Sequence, residues 1–169
     1  VDAWLLLLRD HGTWELGDVL SYAIGYARDG HPLLAQAATT IARVAGLFTA
    51  HWPSSADLWM PGGRVPEAGT MMHNPAYAPV LAALVSTGRQ EWKAGIVAHA
   101  SCDFLARPHR HSDGADHAGV ITAEDFAAFD AGYEPAVSIE FRGHTIAKAG
   151  AWTQGPALLQ ALRILDGLP

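Results

Sequence analysis

The spacing of apolar residues changes once along this chain, and that change limits the fold more than any single motif does. From Leu16 the apolar positions recur at helical intervals: Leu16, Val19, Leu20, Ala23, Ile24 and Ala27 fall at i, i+3 and i+4 and so share one helix face. At Val137 the period shortens to two, with Val137, Ile139 and Phe141 alternating against Ser138, Glu140 and Arg142. A long helical pattern followed by a brief alternation predicts a mainly α fold that carries one short β-hairpin.

Local punctuation divides the helical part. Asp29-Gly30 ahead of His31-Pro32 stops the first amphipathic helix near Arg28, and a second runs over Pro32 to His51 with Ile41, Val44, Leu47 and Phe48 on one face. Prolines and glycines between His51 and Pro75 predict an ordered loop with one helical turn at Ser55 to Trp59. Asn74-Pro75 reads as the cap and first turn of a helix over Pro75 to Val85, and another helix is expected from about Gln90 to Arg107. Thr122 with Asp125 three residues on makes a variant capping box, so a short helix begins there. Arg142-Gly143 turns the alternating strand back through His144 to Ala147, and a last helix over Pro156 to Leu165 has Leu158, Leu159, Leu162 and Leu165 on its inner side.

The opening "VDAWLLLLRDHG" has only Leu5 to Leu8 as an aliphatic run, far short of the roughly 20 residues that span a bilayer. It lacks the basic start of a signal peptide and reads as a buried first helix. With Val1 rather than an initiator Met, it looks like a start in mid-helix, cut from something larger. The 169 residues read as a single partial domain, with a helical part over 1–130 and the strand hairpin plus final helix over 131–169.

Half of the residues are hydrophobic, enough for a buried core. A net charge of −6 with 11 Lys and Arg and no basic run argues against nucleic acid as a partner. The single cysteine, Cys102, can form no internal disulfide, and its Ala-rich surroundings read as those of a small buried residue rather than a nucleophile.

Few residues invite chemistry. The densest polar cluster is His109, His111, Asp113, Asp116 and His117, all of ligand-competent type. It sits in a glycine-bearing loop without a regular scaffold, so a solvated connector is expected there and no metal. The remaining histidines are scattered singly, and no nucleophile elbow, zincin helix or phosphate loop is present. One other stretch stands out: Lys148 to Pro156, where a Gly-Ala-Trp-Thr-Gln-Gly-Pro loop drops into an apolar helix. Pro156 suits the first helical position with Gly155 as cap. That would leave the amides of Ala157 and Leu158 pointing out of a helix start able to hold a carboxylate.

The order of the segments resembles one family. "VDAWLLLLRDHGTWELGDVLSYAIGYARDGHPL" is similar to the large subunits of gamma-glutamyltranspeptidases, where a helix start precedes Gly-Thr and a helix ending in Ala-Arg-Asp-Gly. "GGRVPEAGTMMHNPAYAPVLAAL" and "EWKAGIVAHA" continue the likeness, and "GVITAEDFAAFDAGYEPAVSIEFRGHTI" resembles the family's Gly-Leu-Ile-Thr-x-Glu-Asp-Leu-Ala-x-Tyr block with its Tyr-Arg-Gly strand turn. The likeness covers nearly the whole chain in the right order.

That resemblance implies a piece of the large subunit of an αββα N-terminal nucleophile hydrolase. In the family a proenzyme cuts itself before a threonine, and the new terminal Thr attacks a gamma-glutamyl amide with its own amine as base. Neither that Thr block nor the arginine that holds the substrate carboxylate falls within these residues. The catalytic residues therefore lie outside the chain, which alone is expected to be inactive. The implied partners are the rest of the large subunit, the small subunit bearing the Thr, and a small gamma-glutamyl or related amide substrate, with no cofactor. Where the family has Pro-Pro-x-Ser-Ser-Gly-Gly, this chain has Lys148 to Pro156, which implies a divergent branch near the acylases and amidases. By that correspondence Trp152, Thr153 and Gln154 are the candidate substrate-binding residues. From another class, the alternative is a non-catalytic helical module that binds a partner through its apolar faces.

Overall fold

The computed structural model describes residues 1–168 and divides into two compact units, Val1–Asp130 and the residues from Ala131 onward. In the first unit, α1 (Asp2–His11) is followed by α2 (Leu16–Asp29), β1 (His31–Pro32), α3 (Ala35–His51), α4 (Pro53–Trp59) and a 3-10 turn at Pro61–Gly63. Then come β2 (Met71–Met72), α5 (Tyr77–Thr87), α6 (Arg89–Ala94), α7 (Ile96–Leu105), β3 (His109–Arg110), β4 (Asp116–His117) and α8 (Ala123–Ala128).

The stop at the end of α2 works through backbone conformation. Gly30 adopts φ +96°, and a Cβ at that position would lie 2.5 Å from the His73 ring, so only glycine fits. The chain then extends, and His31 and Pro32 pair antiparallel with Met72 and Met71. This pairing is why α3 starts at Ala35 and not at Pro32. Further backbone bonds stitch the long loop to its neighbours: Leu33 N to Thr70 O at 2.9 Å, Gly69 N to Leu33 O at 2.8 Å, and Asn74 N to Ala27 O at 2.9 Å. With the loop tied down, Met60 and Met72 join Leu33 and Ile41 in a buried core, against which Ala37, Ala38, Ala45 and Phe48 pack.

Other boundaries shift for local reasons. The helical turn expected at Ser55 is a full α4 from Pro53. Asn74-Pro75 forms a turn ahead of α5, with Tyr77 N donating to Asn74 O at 3.0 Å, and the helix itself begins at Tyr77 and buries Ala78, Leu81 and Leu84. The single helix expected over 90–107 is two, broken at Gly95, whose ψ of −154° is extended. The Glu91 carboxylate accepts the Ile96 amide at 2.6 Å and starts α7 afresh, and a Cβ on Gly95 would meet that same carboxylate at 2.6 Å. Cys102 lies half-buried in α7. The capping box of α8 forms as read, with Thr122 Oγ1 accepting the Asp125 amide and Asp125 accepting the Thr122 amide at 2.8 Å.

The first helix differs most from expectation. Leu6 is its one buried apolar residue, 8% exposed, while Trp4 is 75% exposed and Leu7 half exposed. Four consecutive leucines, at about 100° per residue, point all around the helix, so packing one side leaves others uncovered. What anchors α1 is polar. Asp2, 2% exposed, accepts both Arg89 Nε and Arg89 Nη2, the latter at 2.8 Å. Arg89 Nη2 also donates to Asp130 at 2.7 Å, and Lys93 Nζ donates to the same Asp130 oxygen at 2.7 Å.

In the second unit β5 (Val137–Phe141) pairs antiparallel with β6 (His144–Lys148), from Val137 opposite Lys148 to Phe141 opposite His144. The two-residue turn places Arg142 at φ +48° and Gly143 at φ +80°, the mirror-image geometry whose twist matches paired strands. The last helix, α9 (Gly155–Asp166), packs on this hairpin. Of its four leucines expected inside, Leu159 is buried and Leu162 half-buried, while Leu158 and Leu165 remain nearly half exposed. A two-stranded hairpin is narrower than the face those leucines form. No helix among the described residues is long and apolar enough to cross a membrane.

Two outcomes follow from the polar anchor. Asp2→Asn removes the charge that Arg89 faces and lowers stability by about 1.5–3 kcal/mol, read as a fall in the urea midpoint at unchanged slope. Asp130 is held below the usual carboxylate range, first by Lys93 and then by Arg89. Asp125 is held down by the Thr122 amide and hydroxyl. Groups with a depressed folded pKa stabilise fully above the unfolded value, about 3.9, and lose that contribution as pH falls through the folded one. The melting temperature should therefore drop as pH is lowered below about 4, and Asp130→Asn should flatten part of that drop.

Candidate functional site

The loop between β6 and α9 is built by its own polar groups. After Lys148 the chain leaves the hairpin and reverses over Ala149 to Gln154, with Thr153 N donating to Gly150 O at 3.1 Å. The Thr153 hydroxyl lies 3.3 Å from Ala149 O and 3.0 Å from Gly150 O and accepts the Gly155 amide at 2.9 Å. One side chain thus closes the turn and satisfies the first orphan donor of the helix. Gly155 is buried, and a Cβ there would fall 2.2 Å from the Ala149 carbonyl oxygen, so the backbone can approach this closely only at glycine.

The helix start is displaced by one residue from the reading of the sequence. Gln154 is the cap, Gly155 the first helical residue and Pro156 the second. The Leu158 amide, expected to point outward, donates to Gln154 O at 3.1 Å. With Gly155 and Leu158 both engaged, this corner offers fewer open donors to an anion than its sequence implies. The Gln154 side chain makes no capping bond and is exposed.

Trp152 lies mostly outside the packing of this unit. It is 76% exposed, and its indole Nε1 donates to the Glu134 carboxylate, 18 residues earlier. The same carboxylate oxygen lies 3.4 Å from the Gly150 amide. Trp152, Thr153 and Gln154 therefore share one turn, but in different roles: Thr153 is internal, whereas Trp152 and Gln154 face outward. Glu134 is the residue that sequence reasoning passed over. Its one signal is the following Pro135, which biases it to an extended backbone, and nothing in the spacing links it to Trp152.

Two other places on the first unit gather polar or apolar groups that could bear on chemistry. The histidine cluster is a small hairpin, with His109 opposite His117 and Arg110 opposite Asp116. His117 Nε2 meets Asp113 Oδ2 at 2.7 Å, the His111 and His117 rings stand edge to face at 5.5 Å, and His109 stacks on Phe104 at 4.2 Å. Asp113 is held below the ordinary carboxylate range, chiefly by the Ala115 amide and then by His117. Among the described residues no three of His, Cys, Asp and Glu are arranged to hold a metal. The other place is an apolar groove of about 730 Å³ between α1, α2 and α5, walled by Trp4, Leu8, Val19, Ala23, Tyr77 and Leu81. It presents surface for packing rather than groups that react.

Adding a methyl at the Gly155 backbone is the sharpest probe of this construction. Gly155→Ala should lower stability by about 1–3 kcal/mol through forced displacement of the Ala149 carbonyl, and Thr153→Val should also destabilise while Thr153→Ser retains the wild-type melting temperature.

Comparison with known proteins places this architecture. The family model described as gamma-glutamyltranspeptidase matches residues 1–169. Glutathione hydrolase proenzyme 2 of Schizosaccharomyces pombe is 27% identical over 168 residues, which are 99% of this chain and 25% of that protein. Among solved structures, "Structure of LmbA2991T421A" superposes with a TM-score of 0.91 at 40% identity, covering 99% of this chain and 31% of that one. The cephalosporin acylase from Bacillus halodurans superposes at 0.83 with 26% identity, covering 99% and 30%. The chain thus spans about a quarter to a third of the length of these relatives. With a family model matched from end to end and a mainly α architecture shared with solved relatives, the chain belongs to the gamma-glutamyltranspeptidase family.

Proposed function

We propose that these residues form part of the large subunit of a self-processing enzyme that transfers gamma-glutamyl groups or hydrolyses a related amide. The observation that carries this reading is the family match across all of residues 1–169, joined by a relative named as a proenzyme. In the complete protein, a terminal threonine outside this chain attacks the amide carbonyl through its hydroxyl oxygen. Its own amine takes the hydroxyl proton and passes it to the nitrogen of the leaving amine as the C–N bond breaks, and an acyl-enzyme remains for water or an acceptor amine to resolve. The residues described here supply scaffold and one wall of the acyl pocket, and the remainder of the large subunit and the small subunit are the partners.

Two features of the geometry support that division of labour. The groove along α1 and α2 and the half-exposed Leu158 and Leu165 of α9 are apolar surfaces of the kind that a neighbouring segment covers. The outward-facing Trp152 and Gln154 stand where the family resemblance puts a serine- and glycine-rich loop. A tryptophan there fills space that two serines would leave open, so this loop bears on whether gamma-glutamyl or another acyl group is preferred. Relatives that include a cephalosporin acylase accord with such a choice. An interaction module without catalysis is not favoured, because the likeness to enzymes covers 99% of the chain rather than one face of it.

Residues 1–169 alone should turn over no gamma-glutamyl anilide, measured as released aniline against a full-length processed control. In that full-length protein Trp152→Ala should change the ratio of kcat/KM between a gamma-glutamyl and a bulkier acyl donor by about 10-fold or more, with self-cleavage intact. Unchanged ratios for every donor would assign the loop a purely structural role.

A further inference from the structure

We propose that Glu134 is a positioning residue for acyl selection, holding the Trp152 ring in one orientation at the wall of the pocket. This rests on the reading of the 152–154 loop as part of that wall. The argument begins with what an exposed tryptophan ordinarily does. A ring that is 76% exposed has little packing to choose its rotamer, and left alone it samples several. Here the indole N–H donates to a carboxylate, an ionised acceptor that makes a stronger bond than a neutral one.

The acceptor is itself restrained. Pro135 confines Glu134 to extended backbone, and Glu134 Oε1 approaches the Gly150 amide at 3.4 Å as well as the indole. The carboxylate therefore bridges the start of the turn to its outermost side chain. Thr153, by its bonds to Ala149, Gly150 and Gly155, fixes the backbone beneath. Thr153 holds the backbone and Glu134 the ring, and removing Glu134 costs the turn only its 3.4 Å contact with the Gly150 amide, leaving the Thr153 bonds in place. A pocket wall made of one aromatic face discriminates acyl groups by shape, and shape discrimination is lost when the face rotates.

The experiment uses the full-length processed protein labelled with 5-fluorotryptophan. The Trp152 resonance is identified by its loss in Trp152→Phe. In Glu134→Ala that resonance should shift and narrow as the ring, no longer held, averages over several rotamers. The kcat/KM ratio between the gamma-glutamyl and the bulkier donor should change in the same direction as in Trp152→Ala, by about 10-fold, the size of one lost hydrogen bond to a charged group. Glu134→Gln, whose neutral amide oxygen still accepts from the indole but more weakly, should restore both the resonance and the ratio in part, to values between those of Glu134→Ala and wild type. Adding Glu134→Ala to Trp152→Ala should change the ratio no further. A wild-type ratio in Glu134→Ala beside a changed one in Trp152→Ala overturns the positioning role and leaves the pocket wall standing. A wild-type ratio in Trp152→Ala overturns both. If Glu134→Ala is not processed, Glu134→Met keeps the length and lacks the acceptor, and a wild-type ratio in that variant is equally decisive.

Discussion

A carboxylate taken out of water must be answered by a cation, and in this protein that requirement ties together the far ends of the helical unit. Asp2 is the buried charge, and Arg89, 87 residues away, answers it with two nitrogens. Burial alone would make such a pair a poor source of stability, since desolvating two ions offsets most of their attraction. The arrangement limits that penalty by leaving Arg89 partly exposed and giving it a second carboxylate, Asp130, which Lys93 also serves. Two cations and two anions are thereby shared across the first turn of α1, the whole of α6 and the residue that ends the unit. Because the apolar side chains of α1 point all around it, this polar anchor decides which side of the helix faces inward.

The centre of the same unit depends on a loop behaving as core. Met60 and Met72 are as buried as any helical leucine here, although neither belongs to an α-helix. They reach that position because the backbone of 69–74 is bonded to Leu33 and Ala27 on both sides, so no main-chain polar group is buried without an acceptor or donor at those points. Flexible thioethers then fill the space between Leu33 and Ile41. The stop at Gly30 makes this possible, since only a residue without Cβ can turn there against the His73 ring.

In the second unit, the same logic operates on a smaller scale and at the place of functional interest. A hairpin with a two-residue turn and a helix packed on it define a frame, and the loop joining them is closed by one hydroxyl. Thr153 works inside the turn, which frees Trp152 and Gln154 to face outward. An interior residue that builds the turn and exterior residues left free for contact is the division expected where a rigid frame presents a loop. Membership of the gamma-glutamyltranspeptidase family gives this frame and its outward-facing loop their context.

What the sequence determined by itself was everything that short-range physics controls. The period of apolar residues set helix against strand, Asp29-Gly30 ended α2, Thr122 and Asp125 capped α8, and Arg142-Gly143 made the strand turn; each depends on groups within a few residues of one another. The tertiary structure alone decided the rest. Glu91 reaching over Gly95 split one expected helix into two, and pairing with Met71-Met72 delayed the start of α3. The half-exposed leucines of α9 and the open side of α1 followed from how little surface their neighbours offer. At the loop, the sequence marked the turn but placed its cap one residue late, and it held no sign that Glu134 meets Trp152. Periodicity and capping motifs encode hydrogen bonds along the chain, whereas an ion pair across 87 residues or a carboxylate under an indole exists only once distant segments have been brought together.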